Sequence, residues 1–183
     1  MGAWSARSLS WSLGLVFGLS LSTTATLSAQ AVDAAYQIKA SYIYNFLQFV
    51  HFPKEALHGA GTLNVCILGE DRFGPALDEI DGATTPQGQL KVMRLGRFST
   101  SAALDSCNVL YLIDSERQGV DSIMAQVNEA QVLTIGEFSP FIRYGGLIEL
   151  FEQHDIIRFR VNEALLNKTA FKIDAQLVQL GVK

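Results

Sequence analysis

From about Asp33 to Phe52 the apolar residues recur every three or four positions, which predicts a helix over 33–52. Asp33 favours its start. Pro53 marks its end, because proline disfavours helical geometry in the residue before it. At 100° per residue, Tyr42, Ile43, Phe46, Leu47, Phe49 and Val50 fill one arc of about 160°, the predicted core face. Tyr44, Gln48 and His51 fall on the opposite side, where water or a partner is expected. The aromatic run "YIYNFLQFVHFP", 42–53, thus divides into a core stripe and a small outward patch.

Beyond it the pattern changes to short apolar runs. "TLNVCILG", 62–69, and "NVLYLID", 108–114, read as strands, the second covered on both faces. "QLKVMRL", 89–95, alternates, and "VLTI", 132–135, is another buried strand. Between them lie a turn at "HGAG", 58–61, and short helices at 73–80 and 99–106. A longer helix over 119–130 carries Val120, Ile123, Met124 and Val127 at helical spacing. "GLIELFEQHDIIRFRVN", 146–162, is two alternating runs about a polar tip, a β-hairpin. With Gln153 and His154 at that tip, Glu149 faces Arg158. Asn162 then caps a helix from about Glu163 to Leu180. Strands alternating with helices imply βαβ units. The fold class is therefore α/β: a single compact domain whose mostly parallel central sheet has helices on both faces, followed by a C-terminal hairpin and helix. The strand at 65–68 can neighbour 108–113, which brings Cys66 near Cys107.

The first 31 residues stand apart. They hold one cation, Arg7, a short apolar run, and Ala29 and Ala31 in an A-x-A cleavage pattern. This is the layout of a signal peptide, so the expected division is a cleaved 1–31 and a folded domain over 32–183. The apolar run falls short of the roughly 20 residues that span a bilayer. Loss of 1–31 leaves 13 cations against 18 acids and moves the net charge from −4 to −5. An acidic domain without a basic stripe argues against nucleic acid and against electrostatic anchoring to a membrane. Export also changes the meaning of the two cysteines. In an oxidising compartment an even pair is usually bridged. The alternative is a reactive thiol pair, which a CxxC spacing would favour and which is absent.

Motifs for chemistry are sparse. His51, His58 and His154 have no metal-ligand spacing. No G-x-S-x-G occurs, and no base, orienter and nucleophile assemble. No catalytic residue, metal or cofactor is expected. "GEDRFG", 69–74, follows the first buried strand, at the end where open α/β sheets bind ligands. Yet it lacks the P-loop lysine and the third glycine of a dinucleotide fingerprint. Glu70, Asp71, Arg72 and Phe73 are candidate contacts on that ground, as are Tyr44, Gln48 and His51. Gly145–Gly146 read as a turn needing positive φ.

Several segments together resemble the YfiR family of exported proteins. They are "KASYIYNFLQFVHFP", "LNVCILGEDRFG", "CNVLYLI", "VLTIGEF", "GGLIELFEQHDIIRFRVN" and "LVQLGV", from about Ala34 to Val182. The resemblance implies a compact periplasmic α/β domain without catalytic activity. It implies a soluble repressor that binds the periplasmic sensor region of an inner-membrane diguanylate cyclase and so controls cyclic di-GMP and biofilm formation. A homodimer is compatible with it. The alternative function is a periplasmic sensor of small molecules or cell-wall fragments, acting around Glu70–Phe73. Cys66 and Cys107 match a bridged pair of the family. Some members carry a second pair near the segment matching 140–150. Here that segment holds Phe141, Arg143 and Gly145–Gly146 instead.

Overall fold

A computed structural model describes Met1 and residues 24–54, 57, 61–99, 104–128 and 131–182, with backbone alone for 24–33. The expected signal peptide lies outside these residues, apart from Met1 and the backbone from Thr24 onward. No helix among the described residues is long and apolar enough to cross a membrane.

Helix α1 runs Thr24–Phe49. Its buried residues Tyr36, Ala40, Ile43 and Leu47 follow the four-three-four spacing of one helical face, with Phe46 beside them. The helix stops three residues short of its predicted end. Val50–His51 form a two-residue strand, β1, which pairs antiparallel with β9, Lys172–Ile173. The extended geometry that Pro53 favours therefore begins before Phe52.

The main sheet contains β2 (Thr62–Leu68), β3 (Thr84–Thr85), β4 (Gly88–Gly96) and β5 (Val109–Leu112). It continues with β6 (Leu133–Gly136), β7 (Ile148–Gln153) and β8 (Ile156–Val161). The spatial order is β3-β4-β2-β5-β6-β7-β8. The five inner strands are parallel, and β3 and β8 are antiparallel edges. This is the predicted α/β class with its hairpin edge. The central strands β2, β5 and β6 are buried on both faces, which explains their near-continuous apolar runs. Leu63, Val65, Ile67, Val109, Tyr111 and Ile135 face α1. Cys66, Leu68, Leu110 and Leu112 face the other layer, which holds α2 (Val120–Met124), Phe138 and Phe141.

Cys66 and Cys107 are joined by a disulfide on that second face, with Cα atoms 5.7 Å apart. The cause is the β2–β5 pairing, which sets Val65 opposite Val109. Both cysteines lie in the core, at 0% and 4% exposure, where they act as packing as well as crosslink.

Four predicted helices after the first need correction. The helix over 73–80 is a 3-10 turn, Gly74–Leu77. The helix over 119–130 is shorter: α2 follows a 3-10 turn at Asp114–Gly119 and ends at Met124. Of the helix over 99–106, residues 100–103 lie outside the described residues, and Leu104–Ser106 form a 3-10 turn. Residues 58–60 of the turn at 58–61 also lie outside them. The last helix is broken in two, α3 (Glu163–Leu166) and α4 (Ala175–Leu180), with β9 between. The Thr169 hydroxyl lies 2.8 Å from the Leu166 carbonyl and 3.0 Å from the Phe171 carbonyl, which share its one proton. Phe171 is thereby turned into the core, 5.3 Å from the Phe52 ring. At the start of α3, Asn162 caps as expected by accepting from the Leu165 N–H.

The hairpin tip is His154–Asp155, with φ of 52° and 59°, one residue beyond the predicted tip. Paired left-handed residues at the centre are what a tight two-residue hairpin turn requires. Moving the tip by one residue moves each partner by two, so Glu149 pairs with Arg160 and Phe151 with Arg158. The sides are unchanged, but the ion pair differs: Arg160 Nε lies 3.8 Å from the buried Glu149. Its guanidinium sits 4.2 Å over the Phe151 ring.

Candidate functional site

The inner strands, taken in chain order, lie in the order second, first, third, fourth, fifth. In such a sheet the chain departs in opposite directions from the first and third strands, here β2 and β5. A crevice opens beyond their carboxyl ends. A polar cleft of about 530 Å³ lies there, lined by residues after β2, β4, β5 and β6 and by α1.

Its walls are held by close backbone approach. Gly69 leaves β2 with φ +118°, and a Cβ placed on it would lie 2.6 Å from Ser115 Oγ and 2.9 Å from Ile113 Cβ. Only glycine fits both that conformation and that contact. The next amide, Glu70 N–H, donates to Ser115 Oγ at 2.9 Å. The turns after β2 and β5 are thus fastened together at the cleft mouth.

Glu137, just after β6, anchors the floor. Its side chain is 2% exposed. It accepts from the Tyr36 hydroxyl (2.9 Å), the Tyr111 hydroxyl (2.9 Å), the Asp114 N–H (3.1 Å) and Lys39 Nζ (2.8 Å). Lys39 Nζ also lies 4.2 Å over the Tyr36 ring. Burial first, and then the charge of Glu137, push the Tyr36 and Tyr111 phenols above their ordinary range. Both therefore remain protonated donors at neutral pH. One carboxylate with four donors joins α1, β5, β6 and the turn after β5.

The "GEDRFG" candidates separate by role. Glu70 and Arg72 line the cleft. Asp71 accepts from Arg94 Nε at 2.5 Å and from the Phe73 N–H at 2.8 Å, which fixes the turn. Phe73 is fully buried between the rings of Tyr36 (4.9 Å) and Tyr111 (5.1 Å), beneath the cleft rather than on its surface.

The outward patch of α1 is covered more than the sequence suggests. Tyr44 is half-buried and packs against the core, and its hydroxyl donates to the Thr84 carbonyl at 3.3 Å. Gln48 is half-buried, and its amide nitrogen meets no hydrogen-bond partner among the described residues. His51 is exposed, with Nε2 3.0 Å from Asp174. The physical reason is the folding-over of the β3–β4 turn. Gln87 there donates to the Val50 carbonyl and accepts from the Phe52 N–H. The structure does not bring this patch to the strand-end cleft.

Sequence reasoning missed Tyr36, Lys39, Asp114, Ser115, Arg117 and Glu137 of the cleft. Of these, Glu137 had a usable signal: an acid directly after a buried strand, at the end where α/β sheets bind ligands. A second concavity, about 760 Å³, lies between α1 and the hairpin and is lined mainly by Ile38, Tyr42, Ile156 and Ile157.

A family model described as DUF4154, YfiR/HmsC-like, matches residues 36–182. That span starts at the Tyr36 of the Glu137 lock and ends just past α4. A comparison with curated proteins finds no match.

Proposed function

Because the chain belongs to the YfiR/HmsC-like family, we propose that it is an exported, non-catalytic repressor of an inner-membrane diguanylate cyclase. In this reading it acts in the periplasm on the cyclase's sensor region. Its release raises cyclic di-GMP and promotes biofilm formation.

The observation that carries the reading is the match over 36–182, which covers every element from the middle of α1 through α4. Two features support it. The signal-peptide layout of residues 1–31 directs the chain out of the cytoplasm. The buried Cys66–Cys107 bridge suits an oxidising compartment. The absence of a cysteine pair near 140–150 makes release by reduction of a second disulfide an unsuitable mechanism for this chain.

The test is capture of partners from detergent-solubilised envelopes with the tagged mature protein, together with cyclic di-GMP measurement in a deletion strain. The expected result is an inner-membrane cyclase in the eluate and a raised cyclic di-GMP level on deletion. An unchanged level on deletion, with no cyclase captured, refutes the reading.

A further inference from the structure

The strand-end cleft has an electrostatic character opposite to that of the chain. The whole sequence carries a net charge of −4. The cleft is lined by Lys39, Arg72, Arg97 and Arg117 against Glu70, Asp114 and Glu137, one cation in excess. Three of the cations are committed. Lys39 binds Glu137, Arg97 binds Glu70, and Arg117 binds Asp114 while donating to the Ser139 carbonyl at 2.9 Å. Arg72 is the excess. Among the described residues it has no ion-pair partner, and it stands exposed at the cleft.

We propose that this cleft binds a small anion bearing carboxylate or phosphate groups, with Arg72 as its principal partner. A guanidinium presents a planar fork of donors that matches the oxygens of either group. A concave site lined by excess charge of one sign raises the local concentration of the opposite ion. The volume of about 530 Å³ falls within the roughly 300–1,000 Å³ of small-molecule sites. The location is the crevice where open α/β sheets bind ligands. The floor is rigid before any ligand arrives, because Glu137 holds both tyrosines, Lys39 and the Asp114 amide. The site has its own readout on the isolated protein and does not depend on the identity of any protein partner.

The experiment is thermal melting and titration calorimetry of the mature, disulfide-bonded protein. The probes are citrate for carboxylates and pyrophosphate and inorganic phosphate for phosphates. Sodium chloride at matched ionic strength is the anion control, and putrescine is the cationic control. At least one multivalent anion is expected to raise the melting temperature saturably, beyond chloride. The citrate and phosphate arms show which chemistry is preferred. Arg72→Gln should weaken binding at least tenfold, Arg72→Lys should weaken it less, and Arg158→Gln on the hairpin should leave it unchanged. Because Arg72 has no ion-pair partner among the described residues, both of its variants should melt like the parent without ligand; the Lys variant keeps the test open if the Gln variant misfolds. Shifts that merely follow ionic strength, equal binding by Arg72→Gln, or no heat and no shift with any probe would overturn the proposal.

Discussion

Replacing Glu137 by glutamine tests whether the buried carboxylate is a structural lock. The substitution keeps the shape but removes the charge, and it turns one acceptor oxygen into an NH₂ donor. Tyr111 Oη and Lys39 Nζ both donate to Oε2, while Tyr36 Oη and the Asp114 N–H donate to Oε1. One pair of donors must then face a donor. Lys39, whose side chain is 17% exposed, loses its counter-ion. Breaking one side of a buried ion pair costs about 3–5 kcal/mol. Hydrogen bonds to charged groups are worth about 1.5–3 kcal/mol each but do not add. The expected loss is therefore about 3–5 kcal/mol, or a fall of about 6–20 °C in melting temperature for a chain of this size. Urea unfolding of the oxidised protein measures it, with the midpoint moving and the slope unchanged. The double variant with Lys39→Met should lose less than the sum of the two single losses, with a coupling of more than about 1 kcal/mol. A Glu137→Gln cost below about 1 kcal/mol, or simple additivity with Lys39→Met, would refute the lock.

Raised phenols make stability depend on alkaline pH. The folded state holds the Tyr36 and Tyr111 protons more tightly than the unfolded chain, whose phenols titrate near 10.0. This contribution is whole below that pH and is lost as pH rises through the folded values. Unfolding midpoints across the alkaline range should fall less steeply in a Tyr36→Phe/Tyr111→Phe protein than in the parent; equal slopes contradict the assignment. Cys66→Ala/Cys107→Ala opens a loop with a sequence separation of 41 and should cost up to about 4 kcal/mol. Thiol counting on the denatured, unreduced parent should find none. Phe46→Ala removes a ring that is 1% exposed and 4.9 Å from Phe159, at about 3–5 kcal/mol. Tyr44→Ala, half-buried, should cost roughly half as much, and equal losses in melting temperature would show Tyr44 to be a full core residue.

The fold was largely legible because its information is local. Short apolar runs such as Val109–Leu112 and Leu133–Gly136 announce strands covered on both faces, and the helical spacing from Tyr36 to Leu47 announces the layer that covers one of them. Element ends were less legible where tertiary contacts override local preference. The periodicity from Glu163 to Leu180 is helical, yet burial of Phe171 against Phe52 and pairing of β9 with β1 break that helix. The hairpin tip was misplaced because an apolar–polar alternation fixes which face a residue takes but not which partner it meets. Left-handed geometry at His154 and Asp155 makes that choice.

The cleft was illegible for a different reason. Tyr36 and Glu137 are 101 positions apart, and Lys39 and Glu137 are 98 apart. No motif at fixed spacing can encode such a contact, because strand order alone brings its members together. β6 lies beside β5 and β5 beside β2, so the residues that follow each strand converge at one end of the sheet. α1 then crosses that end with Tyr36 and Lys39, while its other half is held by apolar contacts such as Phe46 with Phe159. The helix is thus fixed by unlike chemistries at two places, a charged network at its middle over the cleft and an aromatic cluster nearer its C-terminal end beside the hairpin. Loss of the Glu137 network removes the first and leaves the second. The part of α1 from Ile43 onward should therefore keep its amide exchange protection in Glu137→Gln, while the turn from Tyr36 to Lys39 loses it. Loss of protection from Tyr36 through Phe49 would show that the two places are not separately held.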